Sequence, residues 1–237
     1  MTSLTAKQTA FIESVLQLSP RVATFDCDGT LWSGDAGEGF FSWELEQGLV
    51  SNEIARWARA RYADYRAGKV AEDVMCGEMV TIHHGLREED VQRACDTYFA
   101  LGKENIFPEM QNLVQRLRDS GCDVWAVSSS NQWVIQSAMK AFGIPNDRIL
   151  AAQAEVENGI VVNRLLRVPS GSGKVEAIES AVSRAPDCAF GNAIWDREML
   201  ALAKHAFAIN PNPNLLEIAQ ANRWHSYQPD VNHRVRE

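Results

Sequence analysis

Short apolar segments alternate with longer segments of helical pattern through the second half of the chain, and this alternation constrains the fold most strongly. Strands that alternate with helices of about 10–12 residues are typical of βαβ units, in which the strands form a parallel sheet and the helices cover its faces. The sequence therefore predicts an α/β fold. The predicted strands are residues 22–25, 123–127, 188–190 and 206–209. The predicted helices are residues 4–18, 109–119, 132–142, 173–183 and 194–203, and a hairpin turn is predicted at residues 157–159.

A purely helical stretch interrupts this alternation after the first strand. Residues 35–105 give only helical signals, with helices predicted at residues 53–66, 71–84 and 88–101. Because this stretch separates the first strand from the remaining strands, it is predicted to be an insertion into the α/β domain. We therefore expect a core of residues 1–34 and 106–237 and a helical domain of residues 35–105.

Composition and charge exclude several classes of protein. Of the 237 residues, 46% are hydrophobic and 23% are charged, which is ordinary for a globular protein and excludes global disorder. The formal net charge of −8 argues against a nucleic-acid partner, because nucleic-acid binders usually carry a basic face.

The sequence also argues against a membrane partner. No apolar run approaches the roughly 20 residues that a membrane span needs, and the N-terminal segment lacks the apolar core of a signal peptide. Five widely spaced cysteines without a CxxC pair favour a reducing compartment. We therefore expect a cytoplasmic protein.

Polar residues follow three of the predicted strands at the point where each strand ends. They are Asp26-Cys27-Asp28, Ser128-Ser129-Ser130 and Gly191-Asn192. Ligands of open α/β sheets bind at the carboxyl ends of the strands, so we expect these clusters to form the functional site. Asp26 and Asp28 lie two residues apart, which places both carboxylates on one side of the strand end. They repel each other there unless a cation or a shared proton is present.

Four short motifs occur in order along the chain. The first is Asp26-Cys27-Asp28-Gly29-Thr30, the second is a strand that ends in Ser128, and the third is Lys174, which opens a predicted helix. The fourth, residues 191–199, reads G-N-x-x-x-D-x-x-M. Together they resemble the haloacid dehalogenase superfamily of phosphohydrolases, whose first motif is DxDGT and whose fourth has Asp where this chain has Asn192. The resemblance covers nearly the whole chain.

The resemblance implies roles for these residues. Asp26 is expected to be the nucleophile that forms an aspartyl-phosphate. Asp28 is expected to be the general acid that protonates the leaving alcohol and then the base that activates water. Ser128 and the backbone N–H of Ser129 are expected to bind the phosphoryl group, and Lys174 to neutralise Asp26 and the phosphoryl oxygens. The implied activity is hydrolysis of a phosphomonoester, since the dehalogenase branch of the family lacks the acid at the position of Asp28.

The resemblance also implies a Mg²⁺ cofactor. Its expected ligands are an Asp26 oxygen, the Asp28 main-chain carbonyl and the fourth motif, represented by Asn192 and Asp196. Asn192 departs from the family and removes one negative charge from the expected ligands. Two alternatives to a Mg²⁺-dependent phosphatase therefore stay open. One is a catalytically impaired protein that only binds phosphates, and the other is a phosphotransferase, in which an alcohol replaces water as the acceptor.

The spacing of the motifs resembles that of the phosphoserine phosphatase-like branch of the family. The long interval between Asp26 and Ser128 holds the helical insertion, while the interval from Ser128 to Lys174 has room only for a helix, a strand and a hairpin. This resemblance implies a Rossmann-like parallel-sheet core and a four-helix cap that closes over the substrate. We therefore expect a small phosphorylated metabolite as the substrate.

Four residues are candidates for substrate specificity. Asp35 or Glu38 is expected to hold an amine, and Met79 stands where phosphoserine phosphatase uses a cap arginine for the substrate carboxylate. A substrate other than phosphoserine is therefore favoured. Trp32 and nearby aromatic residues, together with an acid, would suit an ammonium-bearing substrate such as phosphocholine or phosphoethanolamine. The alternative for these aromatic residues is ordinary packing between cap and core.

Overall fold

The structure, a computed structural model, describes residues 4–102 and 105–230. Its first half contains, in chain order, α1 (Ala6–Leu16), β1 (Val22–Phe25), β2 (Trp32–Ser33), α2 (Ala36–Gln47), α3 (Asn52–Arg66), α4 (Glu72–Thr81), α5 (Glu88–Ala100), β3 (Asn105–Ile106) and α6 (Pro108–Asp119). Its second half contains β4 (Asp123–Asn131), α7 (Gln132–Met139), β5 (Ile149–Glu157), β6 (Ile160–Arg167), α8 (Ser172–Ala181), β7 (Cys188–Gly191), α9 (Arg197–Leu202), β8 (His205–Ile209), α10 (Pro213–Asn222) and β9 (His225–Tyr227).

In the described part of the chain, seven strands form one sheet in the order β6-β5-β4-β1-β7-β8-β9. All neighbours pair in parallel except β5 and β6, which form an antiparallel hairpin at the edge of the sheet. The predicted α/β class with a Rossmann-like core is therefore confirmed, and the predicted turn joins β5 to β6. The sequence analysis missed β9. His225 and Ser226 of this edge strand are exposed and polar, so the segment lacks the apolar pattern of the inner strands.

β1 lies at the centre of the sheet, between β4 and β7, and all four of its residues are buried. Its apolar run is suited to a strand that is covered on both faces, as strands of parallel sheets are. Phe25 stacks on Phe190 of β7 with the ring centroids 4.2 Å apart, and Phe190 stacks on Phe207 of β8 at 4.8 Å. This packing fixes the end of β1, and with it the residues that follow.

Helices α2–α5 lie between β1 and β4 in the chain, and two features hold them against the sheet. The short strands β2 and β3, where the chain leaves and re-enters the sheet, pair with each other antiparallel. The turn after α4 bonds to β6. The Gly85 N–H donates to the Val161 carbonyl at 2.8 Å, and the Val161 N–H donates to the Leu86 carbonyl at 2.9 Å. The division into a core and a separate cap domain of residues 35–105 stays a prediction.

The helices of the insertion begin and end close to the predicted positions, with one clear difference. The predicted helix 71–84 ends at Thr81, because a turn that finishes at Gly85 (φ +86°) follows it. α2 was not predicted as a separate helix. Its N-cap is Asp35, whose side chain accepts a hydrogen bond from the Glu38 N–H at 2.7 Å. No helix in the described part of the chain combines the length and apolar composition needed to cross a membrane.

We predict that Phe25→Ala lowers the free energy of unfolding by about 3–5 kcal/mol, because it removes a fully buried ring and leaves a cavity at the centre of the sheet. Urea-induced unfolding followed by tryptophan fluorescence measures this loss. Phe25→Leu keeps most of the apolar volume and should cost only about 1 kcal/mol. A loss below about 1 kcal/mol in the alanine variant would contradict the importance of this stack.

Candidate active site

The carboxyl ends of β1, β4 and β7 meet at one edge of the sheet. Asp26 follows β1, Ser128 lies in β4 and Asn192 follows β7, and these three strands are neighbours. Lys174 reaches the same place from the first turn of α8. Residues from four distant parts of the sequence are thereby brought together.

The ammonium group of Lys174 is the centre of this cluster. It is 1% exposed and donates to Asp26 Oδ1 at 2.7 Å, to Asp196 Oδ1 at 2.6 Å and to the Val127 carbonyl at 2.9 Å. These three bonds use all the donors of an ammonium group. Burial lowers the pKa of Lys174, but the carboxylates of Asp196 and Asp26 outweigh it and raise the pKa above the ordinary value. Lys174 is therefore positively charged in the folded protein.

Asp26 is almost completely buried beside this cation. Its Oδ2 accepts a hydrogen bond from the Thr30 hydroxyl at 2.9 Å, and its backbone N–H donates to the Phe190 carbonyl at 2.9 Å. Burial and, next, the Asp196 carboxylate raise the pKa of Asp26 to about 6, against the opposing effect of Lys174. Asp26 is therefore mostly ionised at neutral pH and held in one orientation, as a nucleophilic carboxylate must be.

Asp28 is held by donors from the helical insertion and from β4. Its Oδ1 accepts from the Trp32 indole N–H at 2.9 Å and from the Ala36 backbone N–H at 2.6 Å, and its Oδ2 lies 2.7 Å from the Ser130 hydroxyl. Burial raises the pKa of Asp28 well above its usual range. The Asp35 carboxylate adds to this rise, and the hydrogen bonds from Ser130 and Ala36 oppose it. A carboxyl group that keeps its proton at higher pH is suited to act as a general acid.

Trp32 lies beneath the site and not in the wall of a substrate pocket. Its side chain is fully buried and packs against Phe99 and Phe142, with ring centroids 6.3 and 6.1 Å away. Its indole N–H is used by Asp28. These contacts agree with the packing alternative for Trp32, and Trp32 is not among the residues that line the cavity described below. Its contact with the substrate stays a prediction.

The three serines at the end of β4 lie in extended backbone, directly before α7. Ser128 is buried, and its Oγ accepts from the Ser130 N–H at 3.1 Å. Asn131 caps α7, because its Oδ1 accepts from the Trp133 N–H at 2.9 Å. The serine hydroxyl and backbone N–H groups therefore stand beside the positive end of a helix, which is a suitable place for a phosphoryl group.

Asn192 and Asp196 both follow β7, but their side chains make different contacts. Asp196 Oδ2 accepts from the backbone N–H groups of Asn192 at 2.8 Å and Ala193 at 2.9 Å, while its Oδ1 accepts from Lys174. Both carboxylate oxygens are thus used by protein donors. Through these contacts Asp196 orients Lys174 and the turn, and its expected role as a metal ligand stays a prediction.

Asn192 packs against Gly29 of the first motif. A Cβ atom on Gly29 would lie 1.9 Å from the Asn192 Nδ2, so the contact requires a glycine. It brings the Asn192 amide close to the backbone beside Asp28. In the described part of the chain, no group of three or more His, Cys, Asp or Glu side chains is arranged to hold a metal ion. The oxygens of the Asp26 carboxylate, a main-chain carbonyl and the Asn192 amide are nevertheless donors of the type that Mg²⁺ prefers.

A cavity of about 110 Å³ lies beside these residues, between β4 and helices α2, α3 and α4. Asp35, Glu38 and Met79, three of the predicted specificity residues, line it, as do Ser129 and Ser130. The lining residues that the sequence analysis missed include Glu44, Tyr62, Tyr65, Glu72, Met75 and Cys76. Helical spacing shows which of them share a face of one helix, but it does not show which face closes on β4.

Known proteins resemble this chain in sequence. A family model described as haloacid dehalogenase-like hydrolase matches residues 23–201. Phosphoserine phosphatase SerB1 of Mycobacterium tuberculosis (strain ATCC 25618 / H37Rv) is 26% identical over 180 residues, which are 73% of this chain and 52% of that protein. The chain thus spans about half the length of this relative. Histidinol-phosphatase of Neisseria meningitidis serogroup C (strain 8013) is 24% identical over 215 residues, which are 86% of this chain and 96% of that protein.

Solved structures share the fold. A protein of unknown function from Bordetella pertussis Tohama I matches with a TM-score of 0.76 at 20% identity, over 87% of this chain and 97% of the other. A phospho-aspartyl intermediate analogue of phosphoserine phosphatase matches with a TM-score of 0.54 at 16% identity, over 83% and 90%. At these identities the likeness concerns the α/β architecture.

We predict that Asp26 makes the stability of the metal-free protein depend on pH between about 4 and about 6. The pKa of Asp26 is about 6 in the folded protein against 3.8 for an ordinary Asp, so the folded state keeps this proton to higher pH. Its stabilising contribution is complete below about pH 4 and is lost as the pH rises through about 6. Urea unfolding of the natural protein and of Asp26→Asn measures the difference in unfolding free energy.

The difference in unfolding free energy between the natural protein and Asp26→Asn should fall by an amount on the order of 2 kcal/mol between about pH 4 and about pH 6. Asp64→Asn, the same change in an exposed ion pair with Lys69, is the control and should show no such trend. A difference between Asp26→Asn and the natural protein that stays constant over this pH range would contradict the raised pKa.

Proposed function

Because the chain belongs to the haloacid dehalogenase-like hydrolase family, we propose that it is a phosphatase that hydrolyses a small phosphomonoester through an aspartyl-phosphate on Asp26. The observation that supports this most directly is the contrast between two carboxyl groups. Asp26 lies against the Lys174 ammonium, while Asp28 lies away from it on the Ser130 hydroxyl and the Ala36 N–H, where burial raises the pKa of its carboxyl group well above the usual range. Phosphoryl transfer by a nucleophile and an acid needs this division. The phosphatase names of the M. tuberculosis and N. meningitidis relatives agree with it.

In the first step, Asp26 attacks the phosphorus atom of the substrate. A bond forms between an Asp26 carboxylate oxygen and phosphorus, while the bond between phosphorus and the leaving oxygen breaks. Asp28 gives its proton to the leaving oxygen, so the product departs as a neutral alcohol. Lys174, whose ammonium lies 2.7 Å from Asp26, stabilises the negative charge of the phosphoryl oxygens.

In the second step, water hydrolyses the aspartyl-phosphate. Asp28, now a carboxylate, takes a proton from a water molecule, whose oxygen attacks phosphorus while the bond to Asp26 breaks. Ser128 and Ser129, together with the first turn of α7, hold the phosphoryl group through both steps. Inorganic phosphate leaves, and Asp26 and Asp28 return to their starting forms.

Mg²⁺ is the cofactor that the oxygen donors of the site fit. An Asp26 oxygen, the Asp28 main-chain carbonyl and the Asn192 amide oxygen would hold it, and it would supply positive charge next to the phosphoryl oxygens. Asp196 supports this arrangement, because its carboxylate accepts hydrogen bonds from Lys174 and from the backbone N–H of Asn192. Because Asn192 is neutral, the affinity for Mg²⁺ is lower than an Asp at this position would give.

The shape of the site favours a small substrate. Helices α2, α3 and α4 cover the cavity, and the start of α2 bonds directly to the first motif through the Ala36 N–H and Asp28. A polymer would have to displace these helices to reach Asp26. We therefore assign the protein a small phosphorylated metabolite as its substrate.

We predict Mg²⁺-dependent release of phosphate from at least one member of a panel of small phosphomonoesters. The panel contains phosphoserine, histidinol phosphate, phosphocholine, phosphoethanolamine, sugar phosphates and nucleoside monophosphates. Asp26→Asn should lower the rate by about a thousandfold or more, because the nucleophile is lost. EDTA should abolish release, and Asp64→Asn, an exposed control, should stay within about twofold of the natural protein. Release that persists in Asp26→Asn would overturn the proposed mechanism.

We also predict that Asn192→Asp raises the affinity for Mg²⁺ by about tenfold, because a carboxylate replaces a neutral amide among the ligands. Calorimetric titration with Mg²⁺ measures this affinity without reference to turnover. Asn158→Asp in the β5–β6 turn makes the same change of charge away from the site and is the matched control. An unchanged affinity in Asn192→Asp would contradict the assigned ligand position.

The same variant tests the alternative of an impaired protein. Asn192 is the observation that favours this alternative, because it weakens the expected metal site. Release of phosphate by Asn192→Asp, with none by the natural protein over the whole panel, would identify the natural protein as one that binds phosphates without hydrolysing them.

A further inference from the structure

A buried glutamate in the cavity has no part in the steps above. Glu44 is fully buried, and its Oε2 lies 2.5 Å from the Nε2 of His83. Its other oxygen, Oε1, is also buried and has no hydrogen-bond partner among the described residues. Glu44 nevertheless lines the same cavity as Ser129 and Ser130. A buried carboxylate oxygen without a donor is rare in folded proteins, and its position in the cavity marks it as an acceptor for a ligand.

His83 cannot satisfy this oxygen, because its ring is fixed. Its Nδ1 donates to the Val80 carbonyl at 3.0 Å, and the ring lies against Phe40 and edge-on to Trp133, with centroids 6.2 and 5.5 Å away. One proton is then shared between the Nε2 of His83 and the Oε2 of Glu44, whichever of the two carries it. Oε1 offers only lone pairs in both arrangements, so its partner must be an N–H or O–H group.

Glu44 lies about two helical turns along α2 from Gly37, which contacts the phosphoryl end of the cavity. Gly37, Phe41 and Glu44 line the cavity from one face of α2, at helical spacing. A Cβ atom on Gly37 would lie 2.5 Å from the Ser130 hydroxyl oxygen, so this turn of α2 contacts the phosphoryl end. Seven residues of helix rise by about 10 Å. Helical side chains lean back toward the N-terminus, which shortens this distance only in part. Of Gly37, Phe41 and Glu44, Glu44 is therefore the farthest from the phosphate.

The walls of the cavity favour a positively charged ligand. Three further acids line the cavity with Glu44, and Arg66 opposes them. The three acids are Asp35, Glu38 and Glu72. Aromatic rings also line it, and they are those of Phe40, Phe41, Tyr62 and Tyr65. Carboxylates and aromatic faces both stabilise cations. The cavity therefore favours a cationic N–H group as the donor to Oε1 of Glu44.

We propose that Glu44 is a specificity-determining residue that accepts a hydrogen bond from a protonated nitrogen at the end of the leaving alcohol remote from the phosphate. The substrate class is then the phosphomonoester of an alcohol that carries a cationic N–H group, several bonds from phosphorus. Asp35 and Glu38 stand at the start of α2, nearer the phosphoryl end, and add to the negative charge of the cavity walls. The proposal rests on the proposed phosphatase function, because that function places the phosphate beside the serines of β4.

The test compares alkyl phosphates that differ only at the remote end. In a series of two to five carbons, each ω-aminoalkyl phosphate is paired with the n-alkyl phosphate that carries a methyl group in place of the ammonium. We expect kcat/KM to favour the amine by about tenfold or more at lengths above two carbons, which is the effect of one charge-assisted hydrogen bond. A trimethylammonium group keeps the charge but has no N–H, so it should lose most of this advantage. Equal kcat/KM for amine and methyl at every length would overturn the proposal.

Variants then assign the preference to Glu44. Glu44→Gln should reduce the amine-to-methyl ratio of kcat/KM by about fivefold or more, since the carboxylate charge is lost. Glu46→Gln makes the same change at an exposed position of the same helix, and it should leave the ratio within about twofold. An equal fall in both variants would assign the preference to the overall charge and overturn the role of Glu44. Glu44→Asp withdraws the carboxylate by one methylene group, and the best substrate should become longer by one carbon.

Calorimetry separates a failure of this proposal from a failure of the proposed function. The natural protein is titrated, with Mg²⁺ present, with ω-aminoalkyl and n-alkyl phosphonates, whose carbon–phosphorus bond is not hydrolysed. The ω-aminoalkyl phosphonate should bind about tenfold more tightly than the n-alkyl phosphonate of the same length. If the protein prefers the amine but releases phosphate from no monoester, the phosphatase function fails and the Glu44 site stands. If it hydrolyses amine and methyl substrates equally, the phosphatase function stands and the Glu44 site fails.

Discussion

The buried ammonium of Lys174 between Asp26 and Asp196 is the interaction on which the site depends. Each of these charges lies in the protein interior, where an unpaired charge is unfavourable by about 3–5 kcal/mol, so the three groups stabilise one another only as a set. The order of the sheet makes the set possible. Asp26 follows the central strand, the Val127 carbonyl comes from one neighbour and the turn of Asp196 follows the other. The orientation and ionisation of Asp26 therefore follow from the topology of the sheet.

The helical insertion contributes to the chemistry as well as to the shape of the cavity. The Ala36 N–H at the start of α2 and the Trp32 indole hold Asp28, and Gly37 allows the same helix to approach Ser130 closely. Two turns further along α2, Glu44 lines the same cavity. Under the proposed function, one helix would contact the general acid at its first turn and the leaving group at its third, which would couple recognition of the leaving group to the position of the acid.

The sequence predicted the catalytic edge of the sheet better than it predicted the pocket. The carboxyl ends of parallel strands must meet, which was enough to place Asp26 and Ser128 together, while Lys174 was added only by the resemblance to the family. For Trp32 two interpretations stayed open, because an aromatic residue next to a motif can pack below the site or above it, and local pattern does not distinguish the two. Glu44 was missed for a related reason. Its partner His83 lies in the turn after α4, and only the packing of this turn against α2 reveals a buried pair of this kind.

The central claim is that the phosphoryl group passes through Asp26, and mass spectrometry of the protein trapped during turnover tests it most directly. Borohydride reduces an aspartyl-phosphate to homoserine and so marks the residue that carried the phosphoryl group. The account predicts that substrate and Mg²⁺ together produce this mark at Asp26, with none at Asp28 and none without substrate. Continued release of phosphate with Asp26 unmarked, or a mark at Asp28, would contradict it.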